Sequence, residues 1–170
     1  STTIVEVSII SQIIYHAIYV PSVGYPLQNC HFTRTKLEDM FRRGMSAMFA
    51  KCGFNRKTKS DIMYGPLGLA GATFRHAATI QGEGQITTFL RNWRKGGDSG
   101  KLLRIAVAWN QYIAGTSLPL LSDVATSIPY LETEYIPSLR RFLHDINGSM
   151  DLDDSYVPVT QRLLDQHIMD

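Results

Sequence analysis

The sequence has few cysteines and no long uninterrupted apolar segment. Cys30 and Cys52 are the only cysteines in 170 residues, too few for a disulfide framework and without the close spacing of a redox or zinc motif. We therefore expect a reducing, intracellular environment, with the nucleus among the options. The most apolar segment, 9–20, is interrupted by three polar residues, so we expect no membrane span. No basic region precedes it, which argues against a signal peptide.

Catalytic and metal-binding motifs are also lacking. The histidines form no HxxxH or HExxH spacing, and the sequence contains no GxSxG, GxGxxG or phosphate-binding P-loop motif. Asp153 and Asp154 are adjacent, and paired carboxylates can bind divalent metals. They stand in an acidic, polar segment with no strand pattern beside them, so a solvated linker is the favoured interpretation. We expect no catalytic residue, no metal and no cofactor in this chain.

Strand-like alternation is scarce, whereas apolar residues recur at helical spacing. The pattern predicts a mostly α protein, an irregular bundle of about five to seven helices with long loops and little or no sheet. It predicts one helical domain over 1–148, followed by an acidic linker and a C-terminal helix over 149–170. The predicted helices are a buried one at 3–19, one that begins at a Thr35–Glu38 capping box and ends at Gly53, and further helices at 76–93, 102–114, 138–146 and 159–168. Residues 60–64 are expected to form a short helical or turn stretch.

Two of these helices are expected to form an antiparallel hairpin. The glycine-rich segment 96–100 predicts a flexible loop between the helices 76–93 and 102–114. The second helix has a broad apolar face that includes Leu102, Ile105 and Trp109. Trp93 then has two interpretations. It packs against Trp109 across the hairpin, which we favour, or it offers a stacking surface to a nucleic-acid base.

Charge is distributed unevenly along the chain. Residues 31–104 carry 14 Lys and Arg against five Asp and Glu, and residues 105–170 carry three against nine. This asymmetry fits an anionic partner for the centre, self-association between the two halves, or simply solvated faces. The candidate phosphate-contacting surface consists of Arg42, Arg43, Lys51, Arg56, Lys57, Lys59, Arg75, Arg91, Trp93, Arg94 and Lys95.

Several segments resemble, in a fixed order, the region that follows the polymerase palm in reverse-transcriptase-like proteins of non-LTR retrotransposons. These segments are 25–27 (YPL), 51–56 (KCGFNR), 64–71 (YGPLGLAG), 81–86 (QGEGQI), 89–94 (FLRNWR), 114–116 (AGT), 138–143 (SLRRFL) and 167–170 (HIMD). The YGP…GG-type turn and the EQG-type turn, which reads QGEG here, are the most recognisable of them. Gly82 and Glu83 depart from the residues that are usual in the second turn.

The resemblance implies a helical thumb or connection segment that grips an RNA or DNA template and primer through backbone phosphates. It carries over no catalytic residue, because the palm aspartates of such an RNA-directed DNA polymerase belong upstream of this region. The chain begins Ser-Thr-Thr without methionine, so we expect a processed product or a piece of a longer polypeptide with polymerase domains upstream. The alternative hypothesis is a helical interaction or scaffolding subunit, docked to a protein partner, that lacks polymerase function.

Overall fold

The computed structural model describes residues 9–55, 57–69, 71–128, 131, 135–153 and 155–157. The described residues contain seven α-helices and no strand, which confirms the predicted fold class. The α-helices are α1 (residues 9–14), α2 (Val20–Leu27), α3 (Arg34–Lys51), α4 (Ser60–Tyr64), α5 (Ala77–Lys95), α6 (Gly97–Ala114) and α7 (Tyr135–Asp145). A π-helical turn, Tyr15–Tyr19, joins α1 to α2, and a 3-10 turn covers Leu67–Leu69.

The chain divides into two compact units, unit 1 over Ser1–Gly84 and unit 2 over Gln85–Asp170, and the boundary falls within α5. The predicted boundary at residue 148 stays a prediction. In unit 2, Met150 and Leu152, beyond that boundary, pack against the hydrophobic core. The predicted helix at 159–168 and the carboxylate of Asp154 lie outside the described residues.

Unit 1 is built around aromatic and aliphatic side chains from its helices. Its core includes Tyr15, Leu37, Met45, Phe74 and Ile80. The ring of Phe74 meets the ring of Tyr15 edge to face at 4.7 Å between centroids, and it meets the ring of Phe49 at 4.9 Å. Such aromatic pairs add to the stability that area burial already provides.

The segment predicted as an N-terminal helix is helical in its described part, but most of its side chains are exposed. Tyr15 is fully buried, whereas Ile10, Ile13 and Ile18 are more than half exposed. Because α1 and the π turn contribute little besides Tyr15 and Ser11 to the interior of unit 1, most of their isoleucines face outward. Over residues 9–19 the expectation of a buried helix was therefore wrong, and residues 3–8 of the predicted helix lie outside the described residues.

The beginning of α3 also differs from the prediction. Thr33, not Thr35, is the N-cap: its backbone is extended, and its hydroxyl accepts a hydrogen bond from the Lys36 N–H at 3.4 Å. Glu38 does not reach back in a capping box but pairs with Arg34, one turn earlier, at 3.1 Å. The predicted helix end is confirmed, since Gly53 follows α3 with a φ of +85°.

Unit 2 has an aliphatic and aromatic core. The amphipathic helix α7 contributes its apolar face to this core. Leu139 is fully buried, and Ile136 and Leu143 are 3% exposed. The helix ends in a left-handed cap. Asn147 takes a φ of +53°, and the Gly148 N–H donates to the Leu143 carbonyl at 2.8 Å.

The long connection before α7 is held by two polar side chains. Gln111 donates to the carbonyls of Thr116 and Leu118 at 2.9 and 2.8 Å, and its amide oxygen accepts from the Leu120 N–H at 2.7 Å. Arg140 donates to three carbonyls of the same connection, those of Leu120, Asp123 and Thr126. Burial lowers the pKa of Arg140 while nearby Asp123 raises it.

The junction between α5 and α6 is shorter than the predicted loop. Only Gly96 separates the helices, and both Gly96 and Gly97 have positive φ values, near +67° and +69°. Gly100 already lies in the first turns of α6, where a Cβ atom would come within 2.7 Å of the Asn92 carbonyl oxygen. Two left-handed glycines thus replace a flexible linker.

Candidate nucleic-acid interface

The candidate basic residues divide between the two units. The positions from Arg42 to Arg75 belong to unit 1, and Arg91, Trp93, Arg94 and Lys95 belong to unit 2. The side chain of Arg43 and the whole of Arg56 lie outside the described residues.

In unit 1 the exposed cations are spread over different elements. Lys51 ends α3, while Lys57 and Lys59 lie in the following loop, and all three are exposed. The Lys57 N–H is held by the Asn55 side chain at 3.0 Å. Arg42 is 76% exposed and pairs with Asp39 at 2.8 Å. These residues can meet an anion from solvent, but Arg42 already shares its charge with a carboxylate.

Arg75 has a structural role besides its charge. Its backbone N–H donates to the Tyr15 hydroxyl at 3.1 Å, and that hydroxyl donates to the Arg75 carbonyl at 3.0 Å. Its guanidinium, about one-third exposed, pairs with Glu83. Arg75 is therefore less available to phosphates than the sequence alone indicates.

In unit 2 three cations share one face of α5. Arg91, Arg94 and Lys95 are all exposed, and their i, i+3 and i+4 spacing places them on the same side of the helix. They line one shallow depression together with Ile86 and Leu90. None of the three forms an ion pair with a carboxylate in the part of the chain that the structure describes. We call Arg91, Arg94 and Lys95 the α5 cluster.

The α5 cluster also lies at the C-terminal end of its helix. Cations there are favoured by the helix dipole, typically by about 0.3–1 kcal/mol. That stabilisation accounts for some basic residues at this position. It does not neutralise them, so the cluster keeps its positive charge toward solvent.

Trp93 belongs to the core and not to the binding surface. It is 7% exposed, its ring stacks on Phe89 at 5.6 Å between centroids, and the guanidinium of Arg104 lies 4.4 Å above it. A buried ring sandwiched in this way cannot stack on a base, so we remove Trp93 from the candidate set. The favoured core position is confirmed, but the expected partner was wrong, because Trp109 is 62% exposed.

The apolar face predicted for α6 is exposed to solvent. Leu102, Ile105, Trp109 and Tyr112 are 67%, 64%, 62% and 44% exposed, and we call them the α6 stripe. The other face of α6 is buried instead. It includes the small residues Gly100 and Ala114, the polar residues Asn110 and Gln111, and the core residue Val107.

The small residues explain which face of α6 is buried. The absence of a side chain at Gly100 lets the backbone come close to the Asn92 carbonyl, and a bulky residue there would prevent it. The polar side chains on that face bond to backbone carbonyls, as Gln111 and Asn110 show. Hydrophobicity alone therefore pointed to the wrong side of the helix.

A cavity in unit 1 is the feature that sequence reasoning missed. It has a volume of about 390 Å³ and is lined by five aromatic side chains, by Arg42 and Arg75, and by several smaller polar residues. The lining residues are spread from Tyr19 to Ile80, so no local sequence motif marks the site.

Two titratable groups on the wall of this cavity have shifted pKa values. Burial lowers the pKa of His76, with the charge of Arg34 acting in the same direction and Glu38 opposing it. His76 Nε2 lies 3.4 Å from the Glu38 carboxylate. Burial raises the pKa of Tyr64, helped by Glu38. Both groups therefore favour their neutral forms.

The described residues hold no group of three or more His, Cys, Asp or Glu side chains that could bind a metal ion. Within the same residues, no helix has both the length and the apolar character needed to cross a bilayer. Comparison of the chain with protein-family models, with curated proteins and with solved structures finds no match.

Proposed function

We propose that this chain is a non-catalytic nucleic-acid-binding segment that holds a strand through its phosphates, in the manner of a retroelement reverse-transcriptase thumb or connection region. The observation that carries the proposal is the α5 cluster, which presents three cations to solvent on one helix face without an acidic partner among the described residues. The sequence resemblance supports the same function.

The chemistry of the α5 cluster favours phosphate contact over base readout. Arg91 and Arg94 can each donate bidentate hydrogen bonds to phosphate oxygens, and Lys95 adds a compact positive charge. Each neutralised phosphate releases counterions, which drives binding without regard to sequence. The buried position of Trp93 removes the one aromatic platform that the cluster would otherwise have.

A charge-matched pair of double variants tests this function. Arg91→Gln with Arg94→Gln removes two cations of the α5 cluster, and we expect affinity for a single-stranded oligonucleotide at low salt to fall several-fold. Lys101→Gln with Arg141→Gln removes two exposed cations from α6 and α7 of the same unit and should bind like the parent. Equal affinities for both variants would contradict the proposal.

The α6 stripe supports a second candidate function, an interaction role in a larger assembly. Four large apolar side chains exposed along one helix at i, i+3, i+7 and i+10 form the kind of surface that usually buries against another helix. The simplest partner is the same stripe of a second copy.

Sedimentation velocity of the parent and of Ile105→Lys tests this pairing of two stripes. Concentration-dependent dimers in the parent that disappear in the variant would support the interaction role. Monomers in both proteins at all concentrations would contradict it.

A further inference from the structure

The cavity of unit 1 has the size and walls of a ligand site. Its volume of about 390 Å³ falls within the range of about 300–1,000 Å³ that small-molecule sites occupy. The side chains of Met45, Met63, Ala77 and Ile80 form the buried part of its lining. All of the lining belongs to unit 1, so the site does not depend on unit 2.

Five aromatic rings line the cavity. Phe49 and Tyr64 meet edge to face at 6.3 Å between centroids, and Tyr19 and Phe41 meet at 6.1 Å. Phe54 completes the set. Rings held at steep angles to one another leave exposed faces and edges against which a planar heteroaromatic ring can pack.

Polar groups lie beside these rings. Ser46 and Asn55 line the cavity and supply a hydroxyl and a carboxamide, groups that can hydrogen bond to the edge of a base. Glu38 and His76 also line it, 3.4 Å apart.

The charged side chains on the cavity wall are two arginines and the Glu38 carboxylate, and Glu38 already pairs with Arg34 at 3.1 Å. Arg42 is 76% exposed, and Arg75 is 38% exposed. Each pairs with one carboxylate, Asp39 or Glu83, but a guanidinium has five N–H donors and can bind a further anion. Aromatic walls beside arginines suit a ligand that is planar at one end and anionic at the other.

We propose that this cavity binds one unstacked nucleotide, with the base between the aromatic rings and the phosphate at Arg42 and Arg75. The same chemistry can come from a free nucleotide or from one residue of a single strand. Only the second source rests on the proposed function. The cavity would add a stacking site in unit 1, which the α5 cluster in unit 2 lacks.

The test is titration of the whole chain with adenosine monophosphate, followed by NMR of methionine methyl groups. Met45 and Met63 line the cavity, whereas Met150 belongs to unit 2 and serves as an internal control. We expect saturable shifts of the first two methyl signals and no shift of the third. Absence of shifts at millimolar nucleotide would overturn the inference.

Two substitutions at exposed positions of α3 test whether the nucleotide binds in this cavity. Arg42→Gln should weaken nucleotide binding about tenfold, as expected for loss of a charge-assisted contact to phosphate. Ser46→Leu places a larger side chain in the cavity at an exposed helical position and should abolish binding. Lys36→Gln, an exposed cation of the same helix outside the cavity lining, should bind like the parent. Parent-like binding by Arg42→Gln and Ser46→Leu would also overturn the inference.

A parallel titration with a single-stranded oligonucleotide separates this inference from the proposed function. If the strand binds through the α5 cluster and the nucleotide does not bind, the inference fails and the proposed function stands. If the nucleotide binds and the strand does not, the cavity is a free-nucleotide site and the proposed function fails.

Discussion

Tyr15 joins two parts of unit 1 that are distant in sequence. Its side chain is fully buried, and its hydroxyl bonds to both backbone groups of Arg75, 60 residues later. Burial raises the pKa of Tyr15 to about 12, although the hydrogen bond with the Arg75 backbone lowers it. The hydroxyl therefore stays protonated and can donate and accept at once.

Removing this hydroxyl should destabilise unit 1. We expect Tyr15→Phe to lower the free energy of unfolding by about 1–3 kcal/mol, because it leaves buried backbone groups of Arg75 without their partner. Urea unfolding measures the change. Tyr25→Phe is the control, since Tyr25 is 76% exposed, and it should leave stability unchanged. Equal stability of both variants would contradict the role assigned to Tyr15.

Protonation of His76 should lower the free energy of unfolding as the pH falls. Its pKa is lowered on folding by burial and by Arg34, so the unfolded chain binds the proton more readily. Stability supplied by the neutral imidazole is present above the unfolded pKa of about 6.5 and is lost as the pH falls through the folded value.

The comparison that isolates His76 uses His76→Asn, which keeps an acceptor for the Ala78 N–H that Nδ1 now bonds at 3.2 Å. Between about pH 7.5 and pH 5.5 the parent should lose more stability than this variant, because only the parent gains the extra proton on unfolding. Chemical denaturation at several pH values measures the difference. Parallel curves for the two proteins would contradict the lowered pKa.

At the scale of elements, α6 shows how a single glycine decides packing. A methyl group at Gly100 would lie 2.7 Å from the Asn92 carbonyl oxygen, a backbone atom of α5 that cannot rotate away. We expect Gly100→Ala to destabilise the protein by about 1–2 kcal/mol, because the clash exceeds the gain of about 1 kcal/mol in helix propensity.

Thermal unfolding of Gly100→Ala beside Ser99→Ala measures this effect. Ser99 is exposed in the same turn of α6, so the control changes helix propensity without adding a contact. The glycine variant should melt below the parent and the serine variant should not. A Gly100→Ala protein as stable as the parent would show that α5 and α6 can separate at no cost.

Helical periodicity predicted where most elements lie but not which face they bury. The predicted positions of α3, α5 and α7 agree with the structure to within a few residues, because apolar spacing is a local signal, although the N-cap of α3 is Thr33 and not Thr35. The faces of α1 and α6 were wrong, because burial depends on tertiary partners. At α6 a glycine and two amide side chains outweigh four large apolar residues.

At the scale of the whole molecule, the chain forms two compact units, and the candidate cations fall in both. Sequence reasoning identified the α5 cluster from its local run of basic residues. It could not identify the unit 1 cavity, because that site joins residues from Tyr19 to Ile80 with no shared motif. It favoured a core position for Trp93 but not the correct partner, since the stacking of Arg104 on its ring depends on the pairing of α5 with α6.

The salt dependence of binding to a single-stranded oligonucleotide tests whether the α5 cluster binds backbone phosphates. Three phosphate contacts by the α5 cluster contribute about −2 to the slope of log affinity against log salt concentration, at about −0.7 for each contact. We predict a slope at least this steep for the parent, reduced in magnitude by about 1–2 in Arg91→Gln with Arg94→Gln. A slope near zero, or the same slope in parent and variant, would contradict phosphate binding by this cluster.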